Sequence, residues 1–218
     1  MPWGSNYTFL VWIDAGPARY MRAIYKPRDG ERPLWDFDPG SLYKREYASF
    51  LLSRILGWPS VPLTLVREGP YGVGSVQLYV ESDPDVTYFD LVSDRADDLE
   101  QFAVFDLLAN NADRKAGHCL LDTDGRIWSI DHGLTFHVSF KVRSVMIELW
   151  DRPIPEPLVN DLEALLARLE ARDAESTEFA ALIQDRELMA LNSRIKAMLS
   201  EAALPALNPH RDVPWPFV

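Results

Sequence analysis

Cysteine is almost missing, since Cys119 is the only one in 218 residues. A disulfide framework is therefore excluded, and so are zinc modules built on paired cysteines. Positive charge is in deficit too, with 22 Lys and Arg against 33 Asp and Glu and a net charge of −11. Non-specific nucleic-acid binding needs a basic footprint, so no nucleic-acid partner is expected. No apolar run reaches the roughly 18–20 residues that cross a bilayer, and no integral membrane segment is expected. Met1-Pro2-Trp3-Gly4 offers neither a basic nor an apolar leader, which makes the cytoplasm the expected compartment. Internal repeats and low-complexity tracts are lacking as well. At 47% hydrophobic and 25% charged, the chain has an ordinary globular composition.

The first eighty residues read as strand, strand, helix, strand, strand. Residues 7–13 are aromatic and β-branched, and residues 19–26 form a second extended run that stops at Pro27. A Pro- and Gly-rich loop fills 28–40. Ser41 then stands as an N-cap, with Leu42, Glu46, Ser49, Phe50 and Ser53 at helical spacing up to Gly57. Residues 61–66 and 73–80 flank Gly69-Pro70-Tyr71-Gly72, the pattern of a hairpin. The expected unit over 1–80 is a small antiparallel sheet with one helix. An Asp-rich connector, 81–98, leads to an apolar helix at 99–109. A hairpin of 119–121 and 127–130 closes on Thr123-Asp124-Gly125-Arg126. Leu158, Leu162, Leu165, Leu166 and Leu169 mark one helix, and 179–199 another. The second unit, 99–204, is thus mainly helical, and 205–218 is a Pro-rich tail.

Chemistry concentrates in two places. Asn110-Asn111-Ala112-Asp113-Arg114-Lys115-Ala116-Gly117-His118 precedes the hairpin, and Ile130-Asp131-His132-Gly133 follows it. The hairpin would bring Asp113, His118 and Asp131 to one spot. Protein kinases place a metal-binding side chain five residues after a catalytic Asp. Beyond a hairpin they place a second Asp, then one residue and a Gly, to grip the metal. Asp113 with His118, and Asp131 with Gly133, fit that spacing. A kinase small lobe also needs a strand Lys for the phosphates, paired to a helix Glu. Lys26 and Glu46 occupy those places. Cys119, entering a strand, reads as a buried small hydrophobe.

On these residues the chain resembles the bacterial relatives of the phosphatidylinositol 3- and 4-kinases, with a more distant likeness to HipA-type kinases. Tyr25-Lys26-Pro27, Gly30-Glu31-Arg32-Pro33-Leu34-Trp35 and the two motifs above carry the resemblance. It implies an α+β, compact, two-lobed protein-kinase-like fold that uses ATP with Mg²⁺ or Mn²⁺. By the same likeness Asp113 is the catalytic Asp, His118 replaces the metal-binding Asn, and Asp131 is the metal Asp. Gly4-Ser5-Asn6 would be the phosphate-covering loop. Lys26, held by Glu46, would bind the α/β-phosphates, and Arg114 or Lys115 would face the γ-phosphoryl group. The segment after Gly133 is short and lacks Ala-Pro-Glu, so the acceptor is left as a hydroxyl of a lipid, a protein or a small molecule. Three alternatives stay open: a nucleotide-binding pseudokinase, an AMP transferase on the same fold, and a metal-dependent hydrolase using Asp113, His118, Asp131 and His132.

Overall fold

The computed structural model describes residues 6–17, 19–58 and 60–218. Strands β1 (Phe9–Asp14), β2 (Tyr20–Pro27), β3 (Thr64–Gly69) and β4 (Gly72–Leu78) form one antiparallel sheet in the order β1-β2-β4-β3. Period-2 alternation sets its faces: Leu10 lies opposite Ile24, two residues before Lys26, so all three share one face. Helix α1 (Leu42–Ile55) lies between this sheet and the helices that follow. It is buried on nearly every side, charged residues included: Arg45 and Glu46 are each 3% exposed. Arg45 answers this by donating to Glu187 at 2.7 Å and to the Thr135 carbonyl at 2.6 Å. Both partners are remote in sequence.

Ser41 does not cap α1 as its position predicts. Its hydroxyl donates backward to the Asp38 carbonyl at 2.7 Å, and the Glu31 carboxylate accepts the Tyr43 N–H at 2.8 Å instead. A long side chain on the preceding loop thus satisfies one of the amides that a helix start leaves open.

The connector contains a short helix, α2 (Tyr88–Leu91), and the apolar helix α3 (Ala96–Ala109) starts three residues before the expected Leu99. α3 stops at Asn110, whose φ of 53° is left-handed. The side chain of Asn110 holds that turn, donating to the carbonyls of His137 and Ser139, each at 2.7 Å. The hairpin of β5 (Cys119–Leu121) and β6 (Ile127–Ser129) follows. α4 (Glu156–Ala171) matches its leucine pattern. The single helix expected over 179–199 is two, α5 (Ala174–Ala180) and α6 (Asp185–Glu201). The break is a new helix start: the Glu187 carboxylate reaches back to the Gln184 N–H at 3.0 Å. Among the described residues no helix is long and apolar enough to cross a membrane.

The core joins α1, α3, the hairpin and α4–α6, with Leu52, Leu99, Leu108, Leu162, Leu191 and Ile195 fully covered. Cys119 belongs to it, and burial pushes its thiol up to about 12. The result is a two-part α+β fold with a cleft between the sheet and the α3–hairpin region.

Candidate active site

Three elements meet at this cleft. β2 contributes Lys26, one residue before its end, α1 contributes Glu46 from its second turn, and the turn after β6 contributes Asp131. The Lys26 ammonium donates to Glu46 Oε1 and, at 2.9 Å, to Asp131 Oδ1. Glu46 uses its other oxygen to accept the His132 N–H at 3.0 Å, which pins the turn carrying Asp131 to α1. Asp131 itself has φ 59°, so the turn is left-handed at that residue. Asn6, Glu31, Asp113 and Leu134 border the same cleft, which encloses about 90 Å³.

The charges follow from these contacts. Burial alone would lower the Lys26 ammonium, but Asp131 and Glu46 together hold it above the ordinary lysine range. Burial also opposes the Asp131 carboxylate, yet Lys26 and His118 keep it well below the usual range. Glu46 moves the other way, raised by burial against the pull of Lys26. Asp113 is raised as well, by burial first, with Lys115 opposing.

His118 Nδ1 lies 3.0 Å from the Asp113 carbonyl and 3.4 Å from the Lys115 N–H, and Nε2 lies 3.4 Å from Asp131 Oδ2. Burial pushes the imidazole down to about 4, so it is neutral at pH 7. A neutral imidazole and a carboxylate this close are two donors that could hold a divalent ion between them. Among the described residues no three acidic, His or Cys side chains converge as a closed metal site. Two protein donors with the rest supplied by phosphate oxygens is how Mg²⁺ is ordinarily held beside a nucleotide.

Arg114 is not available to a phosphoryl group. Its side chain is 0% exposed and pairs with Asp106 of α3 through two contacts, at 2.7 and 2.8 Å. It also donates to the carbonyls of His118 and Ile130, to Ser129 Oγ at 2.7 Å and to His132 Nε2 at 3.0 Å. Arg114 therefore braces the loop, with no donor left over for the cleft. Lys115 is placed differently: it stays partly exposed and lies 3.5 Å from Asp113 Oδ2. Asn6 is tied down at the cleft edge, its Oδ1 accepting the Arg32 N–H at 2.8 Å. Gly4 and Ser5 lie outside the described residues.

A curated relative fixes the kinship. Protein Rv2133c of Mycobacterium tuberculosis is 37% identical over 97% of this chain and 88% of its own length. The chain belongs to the Rv2133c family. No protein-family model matches it, so the phosphatidylinositol-kinase resemblance is carried by the motifs alone. Solved structures share the fold. A Golgi casein kinase with Mn/ADP bound superposes with a TM-score of 0.60 at 16% identity, covering 96% of this chain and 75% of that one. The Helicobacter pylori proinflammatory kinase CtkA gives 0.52 at 10% identity, over 89% of this chain and 93% of that one. HipA of a Shewanella oneidensis toxin–antitoxin system gives 0.52 at 14% identity, over 93% and 64%. This chain has the kinase-like fold.

Sequence reasoning missed Asp106 and Ser129, which lie behind the cleft. Asp106 sits in an apolar helix with only its charge to mark it. Asn111 donates to Asp106 at 2.9 Å and accepts the Asp113 N–H at 3.1 Å, which connects α3 to Asp113. Ser129 and His132 complete this buried group, with Ser129 Oγ 2.9 Å from His132 Nε2. A charged residue at a helix position otherwise filled by Phe, Val and Leu was the one available signal.

Proposed function

We propose that this protein is an ATP-dependent phosphotransferase of kinase type, moving the γ-phosphoryl group to a hydroxyl. The observation that carries the reading is the double contact of Lys26 with Glu46 and Asp131, on a cleft that Asp113 also borders. Four residues spread over the chain assemble an ammonium, its clamp, a metal-binding carboxylate and a base. Catalysis of this kind is mostly positioning and charge neutralisation.

Each residue then has a task. Lys26 leaves Asp131 to bind α/β-phosphate oxygens, still oriented by Glu46. Asp131 and His118 would hold a divalent ion, which would supply charge neutralisation at the phosphates. Asp113, its pKa raised by burial, accepts the proton of the acceptor hydroxyl as that oxygen bonds to the γ-phosphorus and the bond to the ADP oxygen breaks. Lys115 takes the role of facing the γ-phosphoryl group. Leu10, 53% exposed on the Lys26 face of the sheet, and Ile24 across from it offer the apolar surface a nucleobase needs. The motif Asp113-Arg114 without a preceding His-Arg favours a lipid-type kinase, and the acceptor is a hydroxyl compound.

A second reading, nucleotide binding without transfer, rests on His118 standing where the metal-binding Asn is usual and on the short segment after Gly133. The test is thermal unfolding with millimolar ATP and Mg²⁺ or Mn²⁺, followed by single-turnover release or transfer of labelled γ-phosphate. Stabilisation of about 2.7 kcal/mol at 100 times the dissociation constant is expected. No stabilisation removes the kinase reading, and stabilisation with no γ-phosphate turnover makes the protein a pseudokinase. Intact mass of any modified acceptor separates phosphate from AMP transfer.

A further inference from the structure

The stretch bearing Asp113 is anchored at every second residue. The Ala112 N–H donates to the Leu134 carbonyl at 2.9 Å, the Arg114 N–H to that of Arg143 at 3.0 Å, and the Ala116 N–H to that of Phe217 at 2.8 Å. Side chains alternate accordingly, as in any extended segment. Ala112, Arg114 and Ala116 are buried, whereas the side chains of Asp113 and Lys115 keep 28% and 21% of their exposure.

The first two anchors come from the segment after Asp131. The third comes from the Pro-rich stretch at 205–218, which nothing in the functional reading uses. That stretch is a fixed strap: Leu207 and Asp212 are buried, and the Asp212 carbonyl accepts the Ser144 N–H at 3.0 Å. At its far end Val218 lies against Gly117, where an added methyl would meet Val218 Cγ1 at 3.9 Å. The strap therefore bonds the catalytic loop beyond Asp113 and touches none of the cleft-lining side chains by hydrogen bond.

We propose that this strap is a positioning element of the phosphotransfer site, holding Ala116 so that Lys115 stands beside Asp113. The inference rests on the functional reading above and deepens it. Lys115 lies between two anchored residues, and loss of the second leaves its backbone held only by His118, whose N–H donates to the Lys115 carbonyl at 3.1 Å, so that it can shift away from Asp113. Lys26, Glu46 and Asp131, on which nucleotide affinity depends in that reading, are not held by the strap, and His118 keeps its own tie, Nδ1 lying 3.0 Å from the Asp113 carbonyl. The expected signature is a split between binding and turnover.

The experiment compares the full chain with one ended after Pro214, using ATP and Mn²⁺ as probe. Affinity should stay within about threefold, while γ-phosphate release falls at least tenfold, the scale of a small misplacement of a reacting group. Equal turnover overturns the proposal, and so does a parallel loss of affinity in a folded variant. His210→Ala, which removes an exposed side chain of the same stretch well before the anchor, should change neither quantity. If it reproduces the shortened chain, the backbone anchor is not the cause. Amide exchange in the unaltered protein guards against a variant that fails to fold. Ala116 should exchange as slowly as Ala112 and Arg114, and a fast Ala116 amide overturns the anchor directly. An unaltered chain that binds no ATP overturns the functional reading, a result that exchange at Ala116 keeps separate.

Discussion

Two buried ion pairs stand within reach of Asp131, and they are built differently. Arg114 and Asp106 are both fully buried, and the remaining guanidinium donors of Arg114 are satisfied by backbone and side-chain acceptors. Lys26 and Glu46 form the other pair, with the Lys26 side chain 23% exposed and shared with a third group, Asp131, which is 48% exposed. A saturated pair can only hold; a pair with a movable partner at the edge of a cleft can exchange that partner for a ligand. The difference separates scaffold from machinery among residues whose charges look alike in the chain.

Breaking the saturated pair should have the largest effect. Asp106→Ala leaves Arg114 charged and uncompensated in the interior, and a loss of about 3–5 kcal/mol is expected from denaturant unfolding. Glu46→Ala should cost clearly less, because Lys26 keeps Asp131. If the two variants lose the same stability, the distinction drawn between the pairs is wrong.

Asp113→Asn comes next. It should lower γ-phosphate turnover by at least about 100-fold and spare ATP binding, the usual loss on removing a positioned base. Asp131→Asn should instead abolish metal-dependent nucleotide binding. Calorimetric titration with single-turnover assays tells the two apart, and normal binding and turnover in both variants would remove these residues from the site.

Acid should weaken the scaffold side through its histidines. His118 is pushed down to about 4, and His132 is held far below its ordinary value by burial and by Arg114. Unfolded histidines take up protons near 6.5, whereas the folded ones do not. The stability they confer is therefore present above about pH 6.5 and is lost as pH falls toward 4, by up to about 1.4 kcal/mol per pH unit for each. Urea unfolding at pH 7, 6 and 5 measures the slope. A flat profile over that window means that both rings take up protons in the folded state as they do in the unfolded chain.

The smallest effect sharpens the other pair. Lys26→Ala and Glu46→Ala should weaken ATP affinity non-additively, with a coupling of about 1 kcal/mol in a double-mutant cycle. Strict additivity would show that Glu46 does not orient Lys26.

The contrast also explains what could be read from the chain. The hairpin spacing that brings Asp113, His118 and Asp131 together is local, so counting residues finds it. The cap of α1 is not local: Ser41 has the right type and place, yet Glu31 takes the bond, because the loop at 28–40 folds back over the helix start. Arg114 misled for the same reason. Next to Asp113 in sequence, it looked like a group for the phosphoryl charge, and its partner eight residues upstream on α3 drew it inward.

By itself, then, the sequence determined the alternation of the strands, the leucine stripe of α4, and the order Lys26, Glu46, Asp113, His118, Asp131 on which the kinase reading was proposed. These depend on period and spacing, which covalent geometry carries along the chain. Which charges work and which only hold was decided by tertiary structure. Burial, the sharing of Lys26 between two carboxylates, and the third anchor at Phe217 all need partners brought close by folding, and electrostatic strength depends on how much water that folding excludes.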